Sequence, residues 1–333
     1  MGLLAQLYQI ASRADRALTK AKRLGPPVVS VGNISVGGRA KTPMVAEVCR
    51  RLRAMGRVPV VLTRGYGRAS RAPVWIRPVG RHRLELWDPF TNSPLSLTTA
   101  TELAALCGDE ALEIAFREGV DVLVNSKRFE NASAFLKITR REAPESLLRV
   151  VFVLDDGFQH WRLARDLDIV MIRAEDLSDK LLPEGRLRES PTALARAQLV
   201  FEIGRDVFKR SRLPETLVAG RDGASDPLLV LTTRAPDPDF LIELERLFGA
   251  RPYRSLALGD HADRSTLLRA VNGFEGRLVL GWKEFVKFLG PEALALRGQA
   301  MPLATSVRIE LLELDLEFAD GGRRLDQALG RLR

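Results

Sequence analysis

The sequence predicts an α/β protein: a doubly wound, mostly parallel sheet, a second and smaller α/β domain, and an amphipathic helix at the N-terminus. Three observations lead there. Apolar runs of strand length alternate with helical periodicities along most of the chain. The β-branched run Val28–Val31 passes through a Gly-rich turn into Lys41-Thr42 and a helical stripe of Val45, Val48, Cys49 and Leu52. A continuous apolar run, Val150-Val151-Phe152-Val153-Leu154, ends at Asp155-Asp156, as a central parallel strand does when both its faces are buried.

The elements follow in order. Leu3, Leu4, Leu7, Ile10, Ala11, Ala14, Leu18 and Ala21 share one helical stripe, with Arg13, Arg16, Lys20 and Arg23 on the other side, and Gly25-Pro26-Pro27 ends the segment. It holds no apolar run of spanning length and no small-residue cleavage site. Two fates suit such a helix: it lies in a membrane interface, or it packs on its own domain. After the loop and its helix, Val58–Leu62 is a strand running into Thr63-Arg64-Gly65-Tyr66-Gly67. Val74-Trp75-Ile76 and Leu84–Trp87 are short strands in an irregular stretch. Glu102–Cys107 and Glu110–Arg117 are helical, separated by Gly108-Asp109. Val120–Val124 is a strand, Asn131–Ile138 a helix, and Leu167–Ile172 repeats the buried-strand pattern of 150–154.

From Leu228 a second alternation begins, with strands at Leu228–Leu231, Tyr253–Leu258 and Leu278–Leu280, helices between them, and further strands near 305–318. The polar, turn-rich stretch at 210–226 reads as the linker. The expected domains are therefore 1–24, an amphipathic membrane-interface helix; 25–215, the phosphate-loop domain; and 216–333, a smaller C-terminal α/β domain.

A chain of 333 residues with 46% hydrophobic content can build more than one core. The net charge of +9, from 51 basic and 42 acidic residues, predicts an anionic partner, although solvated surface arginine accounts for it equally well. Aromatics at 6% and the lack of zinc-ligand spacing argue against nucleic acid. The two cysteines, Cys49 and Cys107, sit in apolar helical contexts and imply buried thiols in a reducing compartment.

Strand, Gly-rich loop, Lys-Thr and helix is the layout of a phosphate-binding loop. Successive backbone N–H groups and the helix N-terminus surround phosphate oxygens, Lys41 adds a point charge, and the Thr42 hydroxyl can reach Mg²⁺. The strict pattern is missed twice, since Ser35 and Ala40 occupy its two glycine positions. An ordinary Gly-rich turn is the competing account of the loop alone. A carboxylate at the end of a neighbouring strand is what such a loop needs to hold metal, and Asp155-Asp156 supplies two. Together they predict a P-loop NTPase-like fold that binds a nucleotide and Mg²⁺ at the loop and the Asp155-Asp156 pair.

The motifs resemble those of the tetraacyldisaccharide 4′-kinases, the lipid A kinases of Gram-negative bacteria. Val31–Pro43 is similar to that family's VGN-to-GKTP loop. Arg64-Gly65-Tyr66-Gly67 matches its RGYG turn, Gly108-Asp109-Glu110 its GDE, and Asp155-Asp156-Gly157-Phe158-Gln159-His160 its DDGFQH. Leu181–Glu189 resembles LLPAGPLRE, Asp260-His261 a DH motif, and Lys283–Lys287 part of TEKDAVK. The resemblance runs in order from about residue 25 to 290. It departs from the family at Ala40, which replaces the glycine before the lysine, and in a longer segment between RGYG and GDE, which suggests an added hairpin around 76–95.

The resemblance implies transfer of the ATP γ-phosphoryl group to the 4′-hydroxyl of a tetraacyldisaccharide 1-phosphate in lipid A biosynthesis. The implied site is specific. Asp109 is the catalytic base with His261 as its partner, and Lys41 and Arg188 neutralise phosphoryl charge. Ser35, Val36, Gly37, Gly38, Arg39, Ala40, Lys41, Thr42 and Tyr66 hold the nucleotide, while Thr42, Asp155 and Asp156 hold Mg²⁺. His160, directly after the metal motif, reads as structural. A lipid substrate draws the enzyme to the cytoplasmic face of the inner membrane as a peripheral protein, which suits the basic N-terminal helix. Its partners are then the anionic acylated disaccharide and the membrane surface, without nucleic acid. Two other readings stay open: a P-loop kinase or ligase acting on a soluble metabolite, and a nucleotide-binding protein of this fold with little or no kinase activity.

Overall fold

The computed structural model describes residues 16–79, 83–95, 100–218, 226–232, 238–249, 251–259, 264–288 and 307–332. The first elements are β1 (Val28–Gly32), α1 (Lys41–Ala54), β2 (Val58–Thr63), β3 (Val74–Pro78), β4 (Leu84–Asp88), β5 (Ser93–Pro94), α2 (Ala100–Cys107) and α3 (Asp109–Glu118). Next come β6 (Asp121–Val124), α4 (Arg128–Glu142), β7 (Val150–Asp155), β8 (Leu167–Ile172), β9 (Leu199–Glu202) and β10 (Val207–Val218). The remainder are β11 (Leu228–Thr232), α5 (Pro238–Phe248), β12 (Arg254–Ala257), α6 (Arg264–Ala270), β13 (Gly276–Gly281), α7 (Trp282–Phe288), β14 (Val307–Phe318) and α8 (Arg323–Gly330).

Among the described residues these strands form two sheets, ordered β5-β4-β3-β6-β2-β7-β1-β8-β9 and β10-β14-β13-β11-β12. From β6 to β9 the first sheet is wholly parallel. β3 then runs antiparallel to β6, with β4 and β5 continuing the antiparallel edge, so the segment after RGYG folds as short antiparallel strands. The parallel strands are buried on both faces, which is why their sequences read as unbroken apolar runs. Val29, Val31, Val151 and Val153 join the helices α1 and α3 on one face, while Val28, Phe152, Leu154 and Phe135 of α4 pack on the other. The sheet is doubly wound.

Within α1, Val45, Val48, Cys49 and Leu52 are all fully buried, the pattern their spacing predicted. The first apolar layer continues into the second sheet without a break. Phe116 of α3 stacks on Trp282 of α7 at 6.3 Å, and Phe285 meets Phe116 edge-on at 6.5 Å.

Two expectations change. The polar stretch after 209 is not a linker through its first half, because β10 pairs antiparallel with β14 along 207–218. The expected division at 215/216 thus falls inside a strand. Its polarity misleads because the strand face is built from ion pairs: Arg212 meets Glu313 at 2.7 Å, and Arg210 pairs with Glu317. Pro214, which cannot donate to a ladder, sits where the register shifts between Arg212 and Glu215.

The N-terminal helix is also shorter than the predicted 1–24. Residues 1–15 lie outside the described residues. Of the rest, 16–18 are helical and the chain is then extended. Lys22 N–H donates to the Arg162 carbonyl at 3.0 Å, its own carbonyl accepts from Ala164 N–H at 2.9 Å, and Leu24 is buried in the core. Residues 19–24 are a strap on the first sheet, fixed by backbone bonds that no helical stripe can reveal.

Candidate active site

Register builds the site. β1 lies between β7 and β8, with Val31 level with Asp155, so the loop leaving β1 and the acids ending β7 open on the same sheet edge. The two turns touch closely. A Cβ on Gly32 would stand 2.6 Å from Phe158 Cβ and 2.8 Å from its backbone nitrogen, so only glycine allows the DDGF turn to close over β1.

The loop is held from outside. Val36 N–H donates to the Arg186 carbonyl at 2.8 Å and Arg188 N–H to the Ile34 carbonyl at 2.7 Å, with Ser35 bridged antiparallel to Leu187. This short zipper delivers the Arg188 side chain beside the loop. Arg39 is fixed separately. Its Nε and Nη2 donate to Asp176 at 2.8 and 2.7 Å, both side chains being buried. Asp176 also accepts from Arg173 N–H. Burial opposes its charge, but Arg39 and that N–H hold its carboxyl below the usual range. Arg39 therefore braces the loop with its guanidinium turned onto Asp176.

Ala40 is the N-cap of α1 and adopts φ 50°, ψ 32°, with no side-chain cap. This is the left-handed region, where an L-residue with a Cβ is strained by roughly 1–2 kcal/mol. Lys41 and Thr42 follow as the first helical residues, so their N–H groups point into the cavity mouth together with the helix dipole.

The carboxylates stand opposite. Lys41 Nζ is 3.5 Å from Asp156 Oδ1, and Arg188 Nη1 bonds both Asp156 oxygens at 3.0 and 2.9 Å. Burial works against ionised Asp156, but Lys41 and Arg188 outweigh it and hold its carboxyl below the ordinary value. Asp155 behaves differently. Burial, and then the negative charges of Glu110 and Asp156, push its pKa up to about 6, against the pull of Lys41 and a 3.0 Å bond from Thr63 Oγ1.

The cavity between these groups has a volume of about 350 Å³ and is lined by Val36 to Pro43, Thr63, Arg64, Tyr66, Glu110, Asp155, Asp156 and Arg188. It therefore brings together Val36, Gly37, Gly38, Arg39, Ala40, Lys41, Thr42, Tyr66, Asp155, Asp156 and Arg188 from the sequence reading. Ser35 is a correction: it is fully buried behind the loop in its bridge to Leu187, away from the cavity wall. Asp109 is half-buried at the start of α3, and its neighbour Glu110 is the residue that reaches the wall. His261 lies outside the described residues. Thr63, Arg64 and Glu110 were not singled out from sequence, yet each was visible. Thr63 ends a parallel strand at the loop edge, and the other two belong to RGYG and GDE.

His160 is not among the residues that line this cavity. Its Nδ1 accepts from Arg128 Nη1 at 2.9 Å, since a guanidinium can only donate. Burial, reinforced by the nearby Arg128, pushes its pKa down to about 3, so the ring is neutral.

The donors here are hard oxygens: two adjacent carboxylates, a third at Glu110 and a threonine hydroxyl beside a phosphate-type loop. Among the described residues no three acid, histidine or cysteine side chains form a metal cage. Hard oxygen donors of this kind fit Mg²⁺, which takes one or two carboxylates and completes its shell with water and phosphate oxygens. Among the described residues no helix is long and apolar enough to cross a membrane.

Known proteins are similar to this chain in sequence and in fold. The family model "Tetraacyldisaccharide-1-P 4'-kinase" (LpxK) matches residues 1–86 and 89–233. A tetraacyldisaccharide 4′-kinase of Anaeromyxobacter dehalogenans (strain 2CP-C) is 36% identical over 95% of this chain and 84% of its own length. One from Anaeromyxobacter sp. (strain K) is 33% identical over the same shares. Among solved structures, LpxK from Aquifex aeolicus in complex with ATP superimposes with a TM-score of 0.65 over 98% of this chain and 96% of that one, at 22% identity. That last match speaks to the fold.

Proposed function

The chain belongs to the tetraacyldisaccharide 4′-kinase family, and on that premise we propose that it transfers the γ-phosphoryl group of ATP to the 4′-hydroxyl of a tetraacyldisaccharide 1-phosphate. One observation carries the reading: Lys41, Arg188 and the Asp155-Asp156 pair converge on one cavity at the mouth of a phosphate loop. Phosphoryl transfer is mostly positioning and charge neutralisation, and these residues offer both.

The backbone N–H groups of 36–42 cradle the β- and γ-phosphates, and Lys41 and Arg188 offset the charge that develops on the transferred group. Thr42, Asp155, Asp156 and Glu110 are the oxygens that would hold Mg²⁺, which when bound neutralises phosphate charge. Tyr66, stacked under Arg64 at 5.4 Å, lines the cavity where a nucleotide or sugar ring would lie. Asp109 accepts the proton of the attacking hydroxyl, with His261 as its partner. Its place at the N-terminus of α3, one residue from the cavity wall, supports that role. The substrate's acyl chains keep it in a bilayer, so we place the enzyme peripherally on the cytoplasmic face of the inner membrane, with the basic N-terminal segment as its contact. We also keep two units, the second beginning with β10.

The test is direct. Purified chain, ATP, Mg²⁺ and the lipid disaccharide in mixed micelles should yield labelled 4′-phosphate, and Lys41→Ala should abolish it. ATP binding without transfer would favour a nucleotide-binding protein of this fold. Transfer that survives in Lys41→Ala would remove the loop from the mechanism.

A further inference from the structure

One carboxylate of the second sheet holds arginines from three elements. Asp315, near the end of β14, takes Arg50 Nη1 of α1 at 2.8 Å, and it also pairs with Arg117 of α3 and Arg212 of β10. The Arg117 side chain is only 2% exposed, and its Nη1 donates to the Leu314 carbonyl at 2.8 Å. Around this node, Glu118 lies 3.5 Å from both Arg50 and Arg53, and Glu313 accepts from Trp282 Nε1 at 2.7 Å.

The placement of the node on the two helices matters more than its strength. α1 opens on the cavity with Lys41-Thr42 and meets Asp315 through Arg50. α3 opens beside the cavity with Asp109-Glu110 and meets Asp315 through Arg117. At 1.5 Å per residue both arginines sit about 12–14 Å down their helices from the site. A helix is stiff over that length, so the fixed point at one end governs the tilt at the other. Apolar contacts between the helices resist separation but tolerate sliding, whereas bonds to a guanidinium are directional. Buried ion pairs contribute little net stability and can serve to select one geometry.

Building on the kinase reading above, we propose that Asp315 is a positioning residue. It fixes α3 against α1 and thereby holds Asp109-Glu110 in place beside Lys41-Thr42, without touching substrate. Displacement of a reacting group by about 1 Å can cost on the order of a hundredfold in rate, so a node of this kind has leverage on turnover.

The experiment compares the full chain with Asp315→Asn, a substitution that keeps shape and removes the charge. Amide hydrogen exchange in the nucleotide-free protein should rise at 109–113, the start of α3, with 37–44 unchanged. At temperatures where the variant is fully folded, kcat should fall at least tenfold with the KM for ATP within threefold. Exchange that changes only in β10 and β14, or a kcat within threefold of the parent, would make Asp315 a local structural residue. If Asp315→Asn does not fold, Asp315→Glu retains the charge but lengthens the link. It should still raise exchange at 109–113 and lower kcat at least threefold, and parental values in both would overturn the proposal. The exchange arm needs no turnover. Absence of lipid phosphorylation by the parent would therefore count against the kinase reading, and unaltered exchange at α3 against the positioning role.

Discussion

Arg188 grips Asp156 with a single nitrogen, Nη1 standing 3.0 Å from Oδ1 and 2.9 Å from Oδ2. The guanidinium therefore keeps its other N–H donors for the cavity while holding the acid in place. It orients the Asp156 carboxylate by charge and remains available to a phosphate. Arg188→Ala should lower kcat/KM by about 10²–10³, the usual loss for one preorganised donor. Arg188→Lys should recover little, because an ammonium lacks the planar fork. Steady-state kinetics on both variants decides this, and a loss below threefold in Arg188→Ala would remove the residue from the reaction.

The strain at Ala40 can be measured. Glycine relieves roughly 1–2 kcal/mol of left-handed strain but gives back about 0.4–1 kcal/mol through its freer unfolded chain. Ala40→Gly should therefore stabilise the protein by about 0.5–1 kcal/mol in urea unfolding, with ATP affinity equal or improved. The Ala40 methyl is itself part of the core cluster. A clear loss of stability would mean that its packing outweighs the backbone strain.

His160 gives a pH dependence of known sign. Its folded pKa, about 3, lies below the ordinary 6.5 because burial and Arg128 disfavour the imidazolium. Between these values the unfolded chain binds the extra proton, so stability is complete above pH 6.5 and declines as pH falls. At pH 5 the loss from this residue should be about 2 kcal/mol. His160→Gln, which keeps an acceptor for Arg128, should remove that part of the decline between pH 7 and 5. Parallel stability curves for parent and variant would assign the decline to other groups.

Most of the parallel sheet could be read from sequence because strands buried on both faces must be apolar throughout. The loop and the acid pair were readable for a related reason: their chemistry fixes residue type and spacing. What could not be read depends on partners distant in sequence. β10 looked like a linker because Arg210 and Arg212 find their acids on β14, about a hundred residues later. Ser35 looked like a phosphate ligand because the bridge to Leu187 that buries it leaves no local mark. Arg39 likewise gave no sign of its bond to Asp176. Residues 19–24 continued a helical stripe, yet backbone bonds to Arg162 and Ala164 hold them extended.

The proposed base offers the most demanding test of the mechanism. Asp109 opens α3 directly after Gly108, whose φ of 84° turns the chain sharply into the helix. If Asp109 takes the hydroxyl proton and His261 shares it, Asp109→Ala and His261→Ala should each lower kcat by about 10²–10⁴ with ATP binding kept. The double variant should be little worse than the worse single one, because residues acting as a unit are not additive. Multiplicative losses would show that the two act separately, and an unaffected His261→Ala would leave Asp109 acting alone. The pH profile supplies the independent measurement. Loss of a titrating base should remove or shift the acidic limb of kcat/KM. A limb unchanged in Asp109→Ala would transfer the base role to a carboxylate on the cavity wall, and Glu110, the α3 residue lining the cavity, is then the first to substitute.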